Sequence, residues 1–346
     1  MTGPCRTLRP LLVSLALFTL SALPGLASAR GAPVVQAPLG ERQTTSTVFM
    51  VSPDDFAFNV ETAGSNRFQD RSAEGADARR KAMLEFDAAV AELGKAGIRV
   101  IRMASRADVK TPDAVFPNNW FSVHALEGGP RVLVGYPMLA PNRRAERRLA
   151  ELQGRLSADG LPVDEVIDLS PYEEKGMFLE GTGSMVLDRA NRIAYAALSP
   201  RTDPAVLQEF ARRMQYRPVS FRSHDAGGGL VYHTNVMMSV GSRFAVVCAE
   251  SIRDPRERRE VLDQLKRSGK EVIPITQAQM GKMAGNILEL RTERGPLIVM
   301  SRTAYDHFTP EQRARLQRFG TLLPLAIPTI EAIGGGSARC MLGEVY

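Results

Sequence analysis

Five polar residues recur at nearly equal intervals along this 346-residue chain, each at the entry to an apolar, strand-like run. They are Asn119, Glu180, His233, Asn286 and Cys340, and their spacings are 61, 53, 53 and 54 residues. A thiol, an imidazole and a carboxylate can act as nucleophile, proton carrier and substrate-orienting group. We therefore expect Cys340, His233 and Glu180 to form a catalytic site if the fold brings them together.

Each of these three residues also has a structural interpretation. Cys340 could be a small buried residue on a last strand, or half of a disulfide with Cys248, which lies in an apolar run. The preceding "GGGSAR" favours a nucleophile, because its glycines predict a flexible, polar approach. His233 could be a core histidine, but it occupies the same position in the repeat as Cys340, which favours a catalytic role. Glu180 could cap a turn, although a carboxylate is costly to bury without a purpose.

The remaining candidates carry weaker signals. Asn286 is in phase with the other four residues but is expected only to shape a turn. His124 lies in the body of a predicted strand and is expected to be structural, and His224 and His307 lie in loop-like contexts without an assigned role. Because no His, Cys or acidic residues fall at a convincing ligand spacing, no metal site is predicted.

The secondary-structure pattern has the same period. Four times, an apolar hairpin is followed by a helix and a single strand, with helices predicted at about 143–158, 204–214, 255–268 and 309–319. A strand, a helix at 73–97 and another strand come before them, and the terminal "CMLGEVY" is half a unit. The first segment of the chain can supply the helix and the last strand that this half unit lacks.

This repeat predicts an α/β ring. A ββαβ unit of this size cannot bury its own apolar face, so the units must pack against one another. Five units, the last one closed by both chain ends, predict a five-bladed pseudo-symmetric propeller, with an open α/β sheet as the alternative. Equivalent positions in such a ring face one axis, so the five polar residues would converge on a single pocket.

The first 29 residues have the pattern of an export signal. Arg6 and Arg9 precede an apolar run that ends in "ASA", the small-x-small pattern of a cleavage site. We therefore predict cleavage after Ala29 and a periplasmic or secreted protein. An uncleaved membrane anchor is the alternative, which the proline and glycine near the end of the run disfavour.

The rest of the chain divides into a linker at 30–44 and one catalytic domain at 45–346. Loss of the signal peptide lowers the formal net charge from +6 to +4, and the charges lie in mixed runs such as "RDPRERREVLDQLKR". Such runs are typical of a solvated helix face, so no nucleic-acid partner is expected. No stable membrane insertion is expected after cleavage. The sequence is compatible with a monomer or a homo-oligomer.

Four motifs, "FPNNW", "LEGTGS", "YHTNVMM" and "GGGSARCM", resemble those of the guanidino-group-modifying superfamily. This superfamily contains arginine deiminases, dimethylarginine dimethylaminohydrolases and amidinotransferases. The resemblance covers about residues 45–346 and is strongest to the citrulline-utilisation hydrolases. It implies the pentein fold of five ββαβ units, no metal or organic cofactor, and Cys340, His233 and Glu180 as the catalytic residues.

Two positions depart from the arginine deiminases in a way that bears on the substrate. The deiminases carry Asp where this chain has Asn119 and Asn235. A carboxylate pair offsets the desolvation of a guanidinium cation, whereas neutral amides suit a neutral ureido group such as that of citrulline. We therefore expect a small amino acid with a ureido group as substrate. The alternatives are an arginine deiminase-like enzyme, an amidinotransferase and a non-catalytic amino-acid-binding protein.

Two arginines complete the predicted site. Arg201 follows the second strand of a unit, and it could hold a substrate α-carboxylate or lie on the surface. Cys340 would attack the central carbon of the ureido or guanidino group as a thiolate, stabilised by protonated His233, by Arg339 or by the bound substrate. His233 would then protonate the leaving nitrogen and activate water, while Glu180 holds a substrate N–H.

Overall fold

The computed structural model describes residues 40–346, together with Met1 and Gly3. The predicted signal peptide and residues 30–39 of the predicted linker lie outside the described residues, so export and cleavage after Ala29 stay predictions. Residues 40–346 belong to one compact unit. Among residues 40–346, none of the helices combines the length and the hydropathy that a bilayer crossing requires.

The strands of the described residues form five separate three-stranded sheets. In chain order the strands are β1 (Thr47–Val51), β2 (Arg99–Met103), β3 (Phe121–Ala125), β4 (Arg131–Gly135), β5 (Glu165–Asp168), β6 (Val186–Asp188), β7 (Ile193–Ala197), β8 (Arg217–Phe221), β9 (Met238–Val240), β10 (Phe244–Val247), β11 (Glu271–Pro274), β12 (Leu288–Thr292), β13 (Gly295–Ser301), β14 (Thr321–Leu325) and β15 (Gly343–Val345). In every sheet the middle strand pairs antiparallel with the first strand of its unit and parallel with the last.

The helices comprise long ones within the units and one-turn ones at the strand entries and in the connections. In chain order they are α1 (Val60–Ala63), α2 (Ala78–Lys95), α3 (Pro141–Arg144), α4 (Leu149–Ala158), α5 (Gly181–Ser184), α6 (Pro204–Met214), α7 (Thr234–Met237), α8 (Pro255–Arg267), α9 (Gln277–Met280), α10 (Arg302–His307), α11 (Pro310–Gln317) and α12 (Pro328–Gly334). Helices α6, α8 and α11 begin alike, with a capping Asp or Thr followed by proline at the first helical position. The helix predicted at 143–158 is interrupted, since α3 ends at Arg144 and α4 begins at Leu149.

The two ends of the chain share one sheet. Strand β15 pairs antiparallel with β1, with Val345 opposite Thr47, and β1 pairs parallel with β2. Around the axis β15 contacts β3, β6 contacts β9, and β9 contacts β12. The predicted five-bladed ring, closed by both chain ends, is therefore confirmed, and an open sheet is excluded.

Glycines allow the strand entries of neighbouring units to approach backbone to backbone. A Cβ on Gly181, whose φ is +48°, would lie 2.4 Å from the carbonyl oxygen of Asn118. A Cβ on Gly285 would lie 2.3 Å from the carbonyl oxygen of Val236. Because no side chain fits at either position, the turns that carry the polar residues can pack tightly around the axis.

The glycine run before Cys340 is packed rather than flexible, so the predicted flexible approach is wrong. Helix α12 ends at Gly334, and the capping residue Gly335 adopts a left-handed φ of +63°. A Cβ on Gly334 or Gly336 would lie 2.7 or 2.9 Å from the ring of Phe116. The three glycines therefore allow the chain to turn and pass close to an aromatic side chain just before the thiol.

An ion cluster involving Glu41 lies inside the ring. Its carboxylate forms ion pairs with Arg189 and with Arg192, the latter at 2.8 Å, and a hydrogen bond with His124 at 2.9 Å. Burial opposes ionisation of Glu41, but His124 and Arg189 outweigh it and hold its pKa well below the usual range. Residues 40–44, assigned to the linker in the sequence, thus include a buried carboxylate, and His124 has a structural role.

Replacing Glu41 by alanine would leave the buried guanidinium groups of Arg189 and Arg192 without this carboxylate. Removing one partner of a buried ion pair costs about 3–5 kcal/mol. We expect a loss of that size in the free energy of unfolding, measured by urea denaturation. Glu293→Ala, at an exposed position, is the control and should change it by less than about 0.5 kcal/mol. Equal stabilities of the two variants would contradict the role of Glu41.

Candidate active site

The five periodic polar residues occupy the same place in their units. Asn119 ends a one-turn segment before β3, Glu180 and His233 are the N-caps of α5 and α7, Asn286 precedes β12, and Cys340 precedes β15. Each side chain is at most 2% exposed. The contacts described below join Glu180 to His233, and Cys340 to Asn286 and Asn235.

His233 and Glu180 form a hydrogen-bonded pair. The ring Nε2 of His233 lies 2.8 Å from Oε2 of Glu180, which also contacts Nη1 of Arg201 at 3.3 Å. The backbone N–H of Leu139 donates to Oε1 of Glu180 at 3.0 Å. Burial opposes ionisation of Glu180, but Arg201 and the bond to His233 outweigh it and keep its pKa below the usual range. Glu180 is therefore an ionised carboxylate that accepts from three groups.

This pair fixes the protonation of His233. Burial lowers the pKa of His233 to about 4, even though Glu180 opposes the shift. The ring is neutral at pH 7, and its bond to a carboxylate assigns the proton to Nε2. The free Nδ1 lies against Gly183, where a Cβ would be 2.6 Å away. His233 is thus a base in the resting site, and stabilisation of the thiolate by protonated His233 stays a prediction.

Two amide side chains contact the sulfur of Cys340. Nδ2 of Asn286 lies 3.2 Å from Sγ and Nδ2 of Asn235 lies 3.4 Å from it. Asn286 therefore does more than shape a turn, contrary to the expectation from the sequence. Cys340 and Cys248 are both free thiols, so the disulfide alternative is wrong. Burial raises the pKa of Cys248 to about 11, which makes that thiol unreactive at neutral pH.

Arg339 does not stabilise the sulfur in this structure. Its guanidinium donates to the carboxylate of Glu344 at 2.5 Å and to the carbonyl oxygen of Leu342 at 2.8 Å. Neither Cys340 nor the pair formed by His233 and Glu180 is among its hydrogen-bond partners. The expectation of a cation beside the thiol is therefore not met at this position.

Arg201 is a buried part of the site, so the surface interpretation is wrong. Besides Glu180, its guanidinium contacts Oγ of Ser65 at 2.7 Å and the carbonyl oxygen of Thr62 at 3.1 Å. It also lies over the ring of Tyr232, with its central carbon 4.9 Å from the ring centre. These protein groups occupy the N–H donors of the Arg201 guanidinium. Its role in holding a substrate α-carboxylate therefore stays a prediction.

A second buried arginine of the site, Arg143, was not predicted from the sequence. Its Nη1 donates to Oδ1 of Asn119 at 2.6 Å, and its Nη2 to Glu146 at 2.8 Å. Burial raises the pKa of Glu146 to about 7 despite the adjacent guanidinium. Arg143 lies in the run "PNRRAERR", which has the composition of an exposed helix, and nothing in that pattern distinguishes it from its neighbours.

The bond from Arg143 decides which part of Asn119 can face a ligand. With Oδ1 engaged, the side chain has its amide N–H groups left, one of which donates to Asn118 at 3.0 Å. A Cβ on Gly183 would lie 2.4 Å from Nδ2 of Asn119, so this amide nitrogen and Nδ1 of His233 border the same glycine. The site therefore combines a thiol, a neutral imidazole base, a carboxylate and amide donors, which can support nucleophilic displacement at carbon.

Within residues 40–346, no three His, Cys, Asp or Glu side chains gather closely enough to hold a metal ion. A family model described as N,N dimethylarginine dimethylhydrolase, eukaryotic, matches residues 52–346. No curated protein matches the chain.

Solved structures share the fold. ArgZ without ligand, an arginine dihydrolase from the ornithine-ammonia cycle in cyanobacteria, has a TM-score of 0.66 and 16% identity over 86% of this chain and 40% of that chain. The chain thus spans about 40% of the length of ArgZ. The N-terminal domain of ArgZ bound to substrate has a TM-score of 0.64 and 16% identity, over 86% of this chain and 97% of that chain. SxtG, an amidinotransferase from Microseira wollei, has a TM-score of 0.63 and 11% identity, over 89% and 96%.

The lowered pKa of His233 makes folding dependent on pH. An unfolded histidine titrates near 6.5, whereas folded His233 stays neutral down to about 4. As the pH falls below 6.5, the unfolded chain binds a proton that the folded chain does not, so the free energy of unfolding decreases until about pH 4. The full contribution is present above pH 6.5.

We expect His233→Gln to lose less stability than the unchanged protein between pH 6.5 and 4.5. The difference should approach about 1.4 kcal/mol per pH unit, the value for one proton. Urea denaturation at several pH values measures it, and comparing the two proteins cancels the titration of their common groups. Parallel pH curves would show that folded and unfolded His233 bind protons alike.

Proposed function

This chain belongs to the N,N dimethylarginine dimethylhydrolase family, a hydrolase family that acts on amidine C–N bonds, and we propose that it hydrolyses the ureido group of a small, citrulline-like amino acid through a covalent Cys340 intermediate. It thereby lies in the guanidino-group-modifying superfamily. The finer assignment to the citrulline-utilisation hydrolases is part of the proposal.

The observation that carries the proposal is the orientation of the Asn119 amide. Because Arg143 donates to its Oδ1, Asn119 can offer an N–H to a substrate. A ureido carbonyl oxygen accepts such a bond, whereas a guanidinium has only donors. Oδ1 of Asn235 has no hydrogen-bond partner among residues 40–346, so it can accept from a ureido N–H.

Buried charges of both signs lie around the site. Arg143 pairs with Glu146 and lies 3.9 Å from Asp113, and Arg201 pairs with Glu180. A guanidinium substrate needs a carboxylate partner to offset its desolvation, whereas a ureido group needs none because it has no net charge.

The reaction proceeds in two displacements. Nδ1 of His233 takes the proton of the Cys340 thiol as the sulfur attacks the ureido carbon. His233 then gives this proton to the side-chain nitrogen, whose bond to carbon breaks and releases ornithine. The carbamoyl group stays on sulfur until His233 takes a proton from a water that attacks the same carbon. The C–S bond then breaks, and the sulfur takes this proton back from His233. The carbamate formed decomposes to ammonia and carbon dioxide, so citrulline and water give ornithine, ammonia and carbon dioxide.

A guanidino substrate is the second candidate, because the family model is described by a methylated guanidine. Ionised Glu180 could then pair with the substrate cation. A non-catalytic amino-acid-binding protein would instead bind its ligand without releasing a product.

We expect the purified protein to turn over citrulline with a kcat/KM at least about tenfold above those for arginine and N,N-dimethylarginine, the factor expected when a buried amide N–H is left without an acceptor. Ornithine, the product from citrulline, and citrulline, the product of deimination of the two guanidino substrates, are both measured by chromatography. In Asn119→Asp together with Asn235→Asp, the ratio of arginine to citrulline turnover should rise by a similar factor. Faster turnover of arginine by the unchanged protein would refute the ureido assignment, and tight binding without product would favour a binding protein.

The two described cysteines offer a matched comparison for the nucleophile. Cys340→Ala and Cys340→Ser should each lower kcat at least about 10³-fold, as expected for loss of a nucleophile. Cys248→Ser should retain most of the activity, because that thiol contributes to packing alone. Mass spectrometry of protein quenched during turnover should show the carbamoyl adduct on Cys340. Equal losses at both positions would argue against Cys340 as the nucleophile.

A further inference from the structure

The side chain of Asn286 is held by three partners around the nucleophile. Its Nδ2 lies 2.9 Å from the carbonyl oxygen of Asn235 and 3.2 Å from Sγ of Cys340. Its Oδ1 accepts from the backbone N–H of Arg339 at 3.0 Å. Asn286 is fully buried, so both N–H groups and the carbonyl oxygen are fixed in direction.

No cation among the described residues is hydrogen-bonded to the sulfur of Cys340. His233 is neutral, since burial lowers its pKa to about 4. The guanidinium of Arg339 is engaged by Glu344. The polar contacts of the sulfur are instead the amides of Asn286 and of Asn235, the latter at 3.4 Å. Hydrogen bonds to an ionised acceptor are about twice as strong as neutral ones, so these donors gain strength as the thiol loses its proton.

We propose that Asn286 is a catalytic residue that stabilises the thiolate of Cys340. In the thiol form, Sγ can donate to Oδ1 of Asn286, 3.7 Å away. When His233 takes the proton, the sulfur accepts from Nδ2 of the same amide. The Asn286 side chain can therefore form a hydrogen bond with both the thiol and the thiolate. The bond to Arg339 N–H ties this amide to the residue before the nucleophile. The inference rests on the proposed function in taking Cys340 as the nucleophile.

The test is the pH dependence of alkylation of Cys340 by iodoacetamide in the full-length protein. Mass spectrometry of the Cys340 peptide separates it from Cys5 and Cys248. In Asn286→Ala the midpoint of the curve should move to higher pH, and alkylation at pH 7 should slow about tenfold, the loss expected for one hydrogen bond to a charged group. Asn235→Ala should shift the midpoint in the same direction.

Asn191→Ala, at an exposed position in the turn between β6 and β7, is the matched control and should leave the curve unchanged. A structural role of Asn286 would change access to the thiol, and therefore the plateau of the curve, without moving its midpoint. An unchanged midpoint in Asn286→Ala overturns the proposal. If that variant does not fold, Asn286→Ser, whose hydroxyl is too short to reach the sulfur, should show the same shift.

Alkylation needs no substrate, so the proposal for Asn286 and the proposed function can fail separately. A shifted midpoint in a protein that turns over no ureido or guanidino compound would support Asn286 and refute the proposed function. Turnover of a ureido substrate by the unchanged protein, together with an unshifted midpoint in Asn286→Ala, would support the proposed function and refute the role of Asn286. Where both hold, kcat for the preferred substrate should fall about 10- to 100-fold in Asn286→Ala.

Discussion

The pairing of β15 with β1 is the interaction on which the rest of the structure depends. The last strand joins the sheet that the first strand begins, and this closes the ring. It also positions Cys340, which lies just before β15, against Asn235 and Asn286 of two other units. The same backbone hydrogen bonds that complete the fifth sheet therefore complete the candidate site. Nucleophile, base and carboxylate come from separate units, so none of them has its partner within its own sheet.

Closing a ring around polar residues requires that their charges be balanced in the interior, because an unpaired buried charge costs several kcal/mol. The chain does this in separate clusters. Glu41 pairs with Arg189 and Arg192, and Glu344 also pairs with Arg189. Glu180 pairs with Arg201 and with the neutral His233. Arg143 and Glu146 form a third group, which also orients Asn119. In the first two clusters the partners are distant in the chain and meet only after folding, whereas Arg143 and Glu146 are three residues apart.

The sequence predicted the fold well because its main signal is periodic. Units of about 53 residues, with an apolar hairpin before each helix, allow few packings, and the polar residue before each first strand follows from the same period. The contacts of individual side chains were not predictable in this way. Arg143 has the local pattern of a surface arginine, and Arg339 adjoins the thiol in sequence while its guanidinium bonds to Glu344. The glycines at 334–336 indicated flexibility, yet they serve close packing against Phe116. The glycines and Arg143 contact residues distant in the chain, whereas Arg339 bonds to a residue only five positions away that no local pattern marks as its partner.

The position of Cys340 just before β15 also bears on when the protein can become active. A ribosome delivers the chain from its N-terminus, so β1 and β2 emerge well before β15. During that interval the sheet of β1 and β2 lacks β15, and the histidine and the carboxylate are present without Cys340. The candidate site is therefore completed only when β15 pairs with β1.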